Sequence, residues 1–595
     1  MFYPELEQPK QSREMIRRWG GLNRKPGASE NEFSDMYGFR ADAYPVLSTA
    51  TGSIAHAVGG RIQGMIGGDD LFVVLDGYIR RFPFDPDDPG VNLGIDGGGD
   101  VRLVRMGAYI VVFPHGVIYN TADGTVNQIS VEYSKSNWTV GYALCRQDGT
   151  EYGAYTASET PPENPSDGAL WVDTSQSPAG LKKYDSSLGT WNGVASVYIK
   201  ITGLPGIGSS GLKQYDGVTL SGFGSDSTKI PIGFDVNGAK TIEAIGSNYI
   251  VVAGILTQNL SITEKKITIS RSFPDMDYVV ECGNRLWGCK YGESDGKLLN
   301  EIYACALGDP TNWNRFRGLA TDSYAANRGC DGPWTGAVTY GGYPYFFKKG
   351  YREKVYPSEY GAHKIVTTAC DGVENGDTLA VVNGVLYYQS DRGVIAFDGS
   401  ACTVVDDPLN GIHGGLACGL GNKYYLYGDT AGEDGYFPLY VYHTRYGLWH
   451  IEERFYRKPR LAATAGGLVY MADSFVGENG MIFYYDATLG GGEPVYGWMA
   501  QSAVFGCDSP DSKYISRLNF RFRLSEKGRL DIFIRYDSSG DWEHKCHIKG
   551  NGFLQTRTAV ILPRRCDHFE IRYKGNGSFT LLSLAKITEG GSDCL

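Results

Sequence analysis

The chain has 595 residues, of which 81 are glycine, 41 Tyr, 25 Phe and 10 Trp, and its formal net charge is −11. This length exceeds what one hydrophobic core usually serves, so we expect two or more domains. The acidic charge argues against a protein that grips nucleic acid through phosphate contacts, and no apolar stretch is long enough to span a membrane.

The composition predicts an all-β protein, because abundant glycine and aromatic residues suit many short strands joined by tight turns. The clearest helical periodicity runs only from Gln8 to Trp19. Residues 1–5 lack the basic start and apolar centre of a signal peptide, so we expect synthesis and assembly in a cytoplasm.

Residues 1–60 read as an N-terminal arm of mixed charge, broken at Gly20 and Gly21. Such an arm docks on a neighbouring subunit or along the sheets of its own chain. The alternative interpretation is a simple lead-in strand.

A glycine-led turn followed by β-branched or aromatic residues then recurs along the chain. It begins at eight positions: Gly68, Gly107, Gly246, Gly283, Gly341, Gly384, Gly421 and Gly466. Most of the intervals between them are close to 40 residues, the period of a four-stranded propeller blade. We therefore expect a β-propeller of about seven blades, formed by residues 61–120 and 236–497. A pair of β-sandwiches with coincidental spacing is the alternative.

Residues 121–235 differ in composition and predict a small inserted β domain. A Pro-rich loop at 161–168 precedes Trp171, and Trp191 follows it. Either tryptophan could stack on a sugar, but a buried position in the core is favoured.

Residues 498–595 predict a C-terminal β-sandwich, because apolar and polar residues alternate with the period of a half-buried strand. The polar face carries Arg521, Arg523, Arg535 and Arg572. This face could pair with an acidic neighbouring subunit, although a solvated face is the simpler interpretation.

Motifs for phosphate-cradling loops, HExxH helices and GxSxG elbows are absent. The run from His544 to His547 offers three potential ligands, but crowding on one strand disfavours a tetrahedral metal site. We interpret His413, His443 and His450 as ordinary structural histidines. We expect most of the twelve cysteines to be buried free thiols, and Cys282 and Cys289 are the pair that one hairpin could bring together.

The main enzymatic alternative is a propeller glycosidase with carboxylates in its central channel. Asp85, Asp87 and Asp88, or Asp406 and Asp407, could supply them, but aspartate is also favoured in turns for local hydrogen bonding. We favour the turn role, and so predict no catalytic residue, no cofactor, no metal and no enzymatic activity.

Several short segments resemble a family of bacteriophage virion proteins. The segments are Glu30–Met36, Asp42–Ser48, the Leu307–Trp313 turn, Ala320–Tyr324 and the Gly341–Pro344 turn. The family occurs in phages of Gram-positive gut bacteria and is similar in outline to the packaged-DNA stabilisation and tail nozzle proteins of short-tailed phages.

This resemblance implies a structural protein of the virion tail nozzle or neck. A ring of six copies would contact the adaptor or portal and the tail fibres or spikes. It would extend the DNA channel and help to retain packaged DNA, which passes without specific binding. The alternatives are a tail-associated receptor-binding or glycan-binding protein and a propeller glycoside hydrolase. Exposed Trp and Tyr side chains clustered on one loop face would favour glycan binding.

Overall fold

The computed structural model describes residues 11–225, 230–231, 234, 236–294, 296–358, 360–473, 480–485, 496–506, 513–560 and 565–590. These residues form β-strands and three short 3-10 helices, Ile207–Ser209, Gly376–Thr378 and Asp407–Leu409. Within this part of the chain, no helix has the length and apolarity that a membrane crossing needs. The all-β class predicted from composition is confirmed.

The N-terminal segment contributes short strands and no α-helix in its described residues. They are β1 (Gln11–Ile16), β2 (Phe33–Tyr37), β3 (Phe39–Arg40), β4 (Leu47–Thr49) and β5 (Ile54–Ala57). The helical periodicity at Gln8–Trp19 was misleading, because residues 11–16 pair along a C-terminal strand in register.

Two four-stranded antiparallel sheets follow. The first contains β6 (Ile62–Ile66), β7 (Leu71–Leu75), β8 (Tyr78–Phe82) and β9 (Val91–Asn92). The second contains β10 (Arg102–Met106), β11 (Tyr109–Phe113), β12 (Val117–Asn120) and β13 (Val126–Gln128).

The inserted domain is a closed six-stranded barrel with a small sheet on one connection. The strands are β14 (Val131–Cys145), β15 (Tyr155–Ser158), β16 (Leu170–Asp173), β17 (Gly180–Asp185), β18 (Thr190–Gly193), β19 (Tyr198–Thr202), β20 (Gly217–Ser221), β21 (Gly238–Ile245), β22 (Tyr249–Ala253) and β23 (Leu260–Arg271). The barrel order is β14-β19-β22-β21-β20-β23, and β15 to β18 form the small sheet.

The barrel therefore includes residues 238–271, which the spacing argument assigned to the propeller. The segment that begins at Gly246 leads into β22, which pairs with β19 and β21 inside the barrel. A buried barrel strand and a buried blade strand are both short apolar runs after a turn, so the sequence pattern alone could not separate them.

Five more four-stranded sheets follow the barrel. Their strands are β24 (Tyr278–Glu281), β25 (Leu286–Ser294), β26 (Lys297–Ala304), β27 (Tyr324–Asn327); β28 (Trp334–Tyr340), β29 (Tyr343–Lys348), β30 (Tyr351–Tyr356), β31 (Lys364–Ala369); β32 (Ala380–Val382), β33 (Val385–Ser390), β34 (Gly393–Phe397), β35 (Cys402–Val404); β36 (Gly414–Leu420), β37 (Lys423–Gly428), β38 (Phe437–His443), β39 (Leu448–Phe455); and β40 (Leu461–Ala465), β41 (Leu468–Asp473), β42 (Met481–Tyr485). The last of these sheets takes its fourth strand, β5, from the N-terminal segment.

Tight turns account for the glycines that led the repeat. In the β28–β29 hairpin, Gly341 and Gly342 have φ of 58° and 80°, values that side chains with a Cβ rarely adopt. Two successive positive φ angles match the right-handed twist of a two-residue hairpin. The turn glycines therefore mark where one strand of a sheet returns as the next.

The seven sheets outside the inserted domain and the C-terminal region are packed in a cycle. Their first strands contact one another in the order β32, β36, β40, β6, β10, β24 and β28. The Gly376–Thr378 turn, which precedes β32, contacts both β28 and β36 and closes the cycle. Apolar cores fill the junctions, as where Val74 and Ile79 meet Ile110 and Val112, and the core between the fifth and sixth sheets is continuous with that of the C-terminal sheets. This arrangement is propeller-like, because neighbouring sheets bury their faces against one another around the cycle.

The C-terminal region completes the structure with two further sheets. Its strands are β43 (Trp498–Ser502), β44 (Lys513–Leu524), β45 (Arg529–Tyr536), β46 (Glu543–Lys549), β47 (Leu554–Val560), β48 (Arg565–Cys566), β49 (Phe569–Asn576) and β50 (Phe579–Gly590). One sheet joins β3, β4, β50, β44 and β47, with β1 and β48 at its sides, and the other joins β2, β43, β49, β45 and β46. Strands β1 to β4 of the N-terminal arm thus belong to these sheets, and residues 498–595 do not form them alone.

Candidate functional site

One cavity opens at the centre of the cycle of sheets. It has a volume of about 580 Å³ and is lined by the beginnings of β6, β10, β36 and β40 and by the turn at 375–379. We call this cavity the axial mouth. Its charged residues are Asp100, Asp377, Asp429, Arg102, Lys458 and Arg460.

Every carboxylate of the axial mouth faces a cation. Asp100 accepts from Arg460 at 2.9 Å, Arg102 lies 3.6 Å from Asp377, and Lys458 contacts Asp429. These side chains are roughly half exposed, so water screens their charges. A glycosidase needs one desolvated carboxylic acid opposite a second carboxylate, and the axial mouth lacks that asymmetry among the residues described.

The aspartates that the sequence offered as channel acids lie elsewhere. Asp85 and Asp88 accept hydrogen bonds from the backbone of Asp87 and Gly90 in the turn after β8. Burial raises the pKa of Asp406, while its neighbour Asp407 pairs with Lys25 on the surface. None of them lines the axial mouth.

A second cavity lies between the N-terminal arm, the sixth and seventh sheets and the start of the C-terminal sheets. Its volume is about 340 Å³. Its rim includes Tyr37, Tyr436, Tyr456 and Tyr496, and its interior includes Phe455, Phe483 and Trp498. We call this cavity the tyrosine cleft. It is a partly open cavity rich in aromatic residues, a type that binds small molecules in proteins.

Four separate parts of the chain supply the rim. Tyr37 ends β2, Tyr436 precedes β38, Tyr456 follows β39 and Tyr496 precedes β43. Tyr436, Tyr456 and Tyr496 expose 44%, 54% and 55% of their surface. The exposed tyrosines of the cluster that would favour glycan binding are therefore present around one cavity, whereas Trp498 of the same cavity is buried.

A buried glutamate lines the same cleft. Glu453 accepts hydrogen bonds from the Ser53 backbone N–H at 2.8 Å and from the Ser53 hydroxyl at 2.9 Å, and the Tyr485 hydroxyl also donates to it. Burial raises the pKa of Glu453 to about 7 despite these bonds. Near neutral pH this carboxyl is thus often protonated.

A β-bulge explains why two adjacent glutamates are both buried. Leu439 and Tyr440 are consecutive on β38, and they pair with Glu453 and Ile451 of β39. Glu452 therefore has no pairing residue on β38 and is the inserted residue of the bulge. Glu452 then meets Lys423 at 2.7 Å, and Lys423 also contacts Asp42 at 2.7 Å. Glu452 is therefore neutralised by this buried lysine.

Arg454 forms one wall of the tyrosine cleft. Its guanidinium lies 3.4 Å from the ring centre of Tyr37 and 6.0 Å from that of Tyr436, and it contacts Asp434. A wider depression of about 750 Å³ shares Tyr436 and Arg454 with the cleft and also includes Asp35, His413 and Glu433. The two cavities together can hold an extended ligand.

The histidines singled out in the sequence do not assemble a site. His544 and His547 both bond to Asp531 Oδ1, at 2.9 and 2.8 Å. Within the described residues, no cluster of three or more His, Cys, Asp or Glu has the geometry to hold a metal ion. Burial lowers the pKa of His443 and lowers that of His450 to about 3.

The C-terminal arginine face is partly used within the chain. Arg535 pairs with Glu570 at 2.6 Å, and Arg572 lies 3.9 Å from the Trp542 ring and bonds to Gln501. Arg521 and Arg523 remain exposed.

Trp171 is buried, as the sequence favoured, and packs edge-to-face on the half-buried Trp191. Cys282 and Cys289 are buried free thiols, so the hairpin forms no disulfide between them.

Comparison with known proteins gives fold likeness alone. No family model and no curated protein matches the chain. The yeast Saccharomyces cerevisiae Sqt1 structure is 8% identical, with a TM-score of 0.29, and covers 73% of this chain and 100% of its own. An exo-β-1,3-galactanase from Phanerochaete chrysosporium, solved with galactose, is 10% identical, with a TM-score of 0.18 and coverages of 64% and 97%.

A glycoside hydrolase family 43 arabinoxylan arabinofuranohydrolase from Bacillus subtilis is also 10% identical, with a TM-score of 0.16 and coverages of 68% and 92%. These two proteins are enzymes, which contradicts the prediction that the chain is not an enzyme, and that exclusion is corrected. At these identities and TM-scores, no activity, substrate or partner carries over to this chain.

Proposed function

We propose that this chain is a tail protein of a bacteriophage virion, of the nozzle or neck type, in which seven four-stranded sheets are the blades of one propeller. The observation that carries this proposal is where the family-like segments lie. Three of them, Glu30–Met36, Asp42–Ser48 and the Leu307–Trp313 turn, connect domains of the chain to one another. A protein that shares these segments with the virion family is expected to share its shape.

The Leu307–Trp313 turn joins the third blade to the inserted barrel. Asn312 donates to Asp216 Oδ1 at 2.7 Å, and Asp216 Oδ2 lies 2.5 Å from Arg271 of β23. All three residues are buried. The turn that resembles the family therefore fixes the barrel on the ring.

The N-terminal family-like segments do the same for the C-terminal sheets. Glu30 accepts from Lys586 at 2.6 Å, and Phe33–Tyr37 pairs with β43. Asp42 reaches Lys423 of the sixth sheet at 2.7 Å. These contacts suit a body that must keep its shape inside a larger assembly.

In this role, six copies would surround the tail axis, between an adaptor or portal and the fibres or spikes, after assembly in the host cytoplasm. The charge of −11 suits a DNA path that does not hold phosphates. Mass spectrometry of purified virions tests the proposal, and we expect the chain in stoichiometric amounts. Its absence from virions would defeat the assignment.

A second candidate function is glycan binding, and the tyrosine cleft favours it. Three half-exposed tyrosines around one cavity form the kind of surface on which sugar rings stack. The purified chain should then adsorb to host cells or cell-wall fragments. Incubation of the same material with the chain, followed by assay of released reducing sugar, separates binding from hydrolysis.

A further inference from the structure

We propose that the tyrosine cleft binds an uncharged oligosaccharide, with sugar rings stacked on Tyr456 and Tyr496 and the chain continuing past Arg454 into the wider depression. This inference rests on the second candidate function and adds to it the ligand class and the contact residues.

The electrostatics of the cleft select against anionic ligands. The acidic and basic residues that line the cavity are Glu452, Glu453 and Arg454. Glu452 is paired with Lys423, and Arg454 is paired with Asp434. Glu453 is buried among hydrogen-bond donors in its own chain. No unpaired cation is left among these residues to attract a carboxylate, sulfate or phosphate group.

The surface chemistry selects a ligand that is apolar on its faces and polar on its edges. Tyrosine rings offer flat apolar faces, and their hydroxyls offer hydrogen bonds at the rim. A pyranose ring presents C–H groups on its faces and hydroxyls around its edge, so it matches this pattern. A purely apolar ligand would offer no hydrogen-bonding group to the tyrosine hydroxyls at the rim.

The volumes of the cleft and the wider depression favour a ligand of more than one sugar unit. The cleft of about 340 Å³ is at the small end of ligand cavities, and the depression of about 750 Å³ that shares Tyr436 and Arg454 extends it. Arg454 is already held in place, with its guanidinium carbon 3.4 Å from the Tyr37 ring centre and in contact with Asp434. Little side-chain entropy is then lost on binding.

The test is titration of the full chain with neutral tetrasaccharides of glucose, galactose, mannose and N-acetylglucosamine, with a sialic acid tetramer as the charged comparison. Tryptophan fluorescence reports occupancy, because Trp498 lines the cleft. We expect at least one neutral tetrasaccharide to bind, more tightly than its monosaccharide and more tightly than the sialic acid tetramer.

Tyr456→Ala and Tyr496→Ala should each weaken that binding at least ten-fold. Tyr360→Ala is the matched control, because Tyr360 is 88% exposed and does not line the cleft, and it should leave binding unchanged. Circular dichroism and melting temperature verify that each variant is folded.

Three outcomes would overturn the inference: no neutral tetrasaccharide binds, the sialic acid tetramer binds more tightly, or both cleft variants bind as the unaltered chain does. If the unaltered chain adsorbs to host cells and the two cleft variants adsorb equally, glycan binding stands but lies at another site. The virion assignment is independent of all these results.

Discussion

The axial mouth and the tyrosine cleft are both openings between sheets, yet the carboxylates of the mouth are exposed to water and Glu453 of the cleft is buried. The mouth holds three carboxylates in water, each beside a cation, so its chemistry resembles that of an ordinary protein surface. The cleft removes Glu453 from water and surrounds it with aromatic rings, which changes its protonation. Burial, and not the number of acids, therefore distinguishes the more specialised opening.

The largest expected effect is a loss of stability when the buried interior of the cleft is changed. Trp498 is 1% exposed, stacks on Phe579 at 4.8 Å and donates to Gly577 O. Trp498→Ala removes this ring from the cleft interior and should destabilise the chain by about 3–5 kcal/mol. Calorimetric or urea unfolding measures the loss, and Tyr496→Ala, at the exposed rim, is the control. Equal shifts for the two variants would contradict the buried role of Trp498.

The next largest effect is the pH dependence that Glu453 contributes. Its pKa of about 7 in the folded chain exceeds the ordinary value of 4.5, so the folded state binds the proton more tightly than the unfolded state. Glu453 makes its full contribution to the free energy of unfolding below pH 4.5, and this contribution is lost as the pH rises through 7. Glu453→Gln should remove this loss and be about 1–3 kcal/mol more stable than the unaltered chain at pH 8.5.

Urea unfolding at pH 5 and pH 8.5 measures the free energy of unfolding of the unaltered chain and of the Glu453→Gln variant. Glutamine can keep the bonds to Ser53 and Tyr485, since its oxygen accepts and its amide donates. An unchanged pH slope in the variant would show that Glu453 does not titrate in this window. Exposed Glu526→Gln serves as the comparison for a surface glutamate.

The smallest effect should come from the axial mouth. A double-mutant cycle with Arg102→Ala and Asp377→Ala should give a coupling of about 0.2–1 kcal/mol, because both side chains are roughly half exposed and 3.6 Å apart. The coupling should fall further in 1 M NaCl. A coupling above 2 kcal/mol that survives salt would mean that the mouth is shielded from water, as the cleft is.

The sequence predicts what is local and repeated. Positive φ in a tight turn favours glycine, so the turns at Gly341 and Gly421, with φ of 58° and 59°, mark hairpins. A glycine-led turn also follows β21 at Gly246, but it joins β21 to β22 of the barrel, since a turn does not specify which sheet its strands join. The predicted end of the inserted domain was therefore wrong by three strands, and its predicted start was wrong by one strand, because β13 belongs to the second four-stranded sheet.

The cleft could not be predicted from the sequence. Its tyrosines are up to about 460 positions apart, and only pairing of β2 with β43 brings Tyr37 beside the Tyr496 region. The adjacent glutamates 452 and 453 were a usable signal, because two consecutive acids in an apolar strand are rare on a two-sided buried sheet. Recognising them as buried also requires the bulge, which no sequence pattern marks.

The seventh blade has a consequence for biosynthesis. Its outer strand, β5, is synthesised long before the other strands of the same sheet, the last of which ends at Tyr485. The ribosome must therefore add more than 400 residues before β5 can find its partners, whereas the inserted barrel is complete by Arg271. During that interval the emerging chain carries an unpaired strand, so the speed of its synthesis and the availability of chaperones bear directly on its yield.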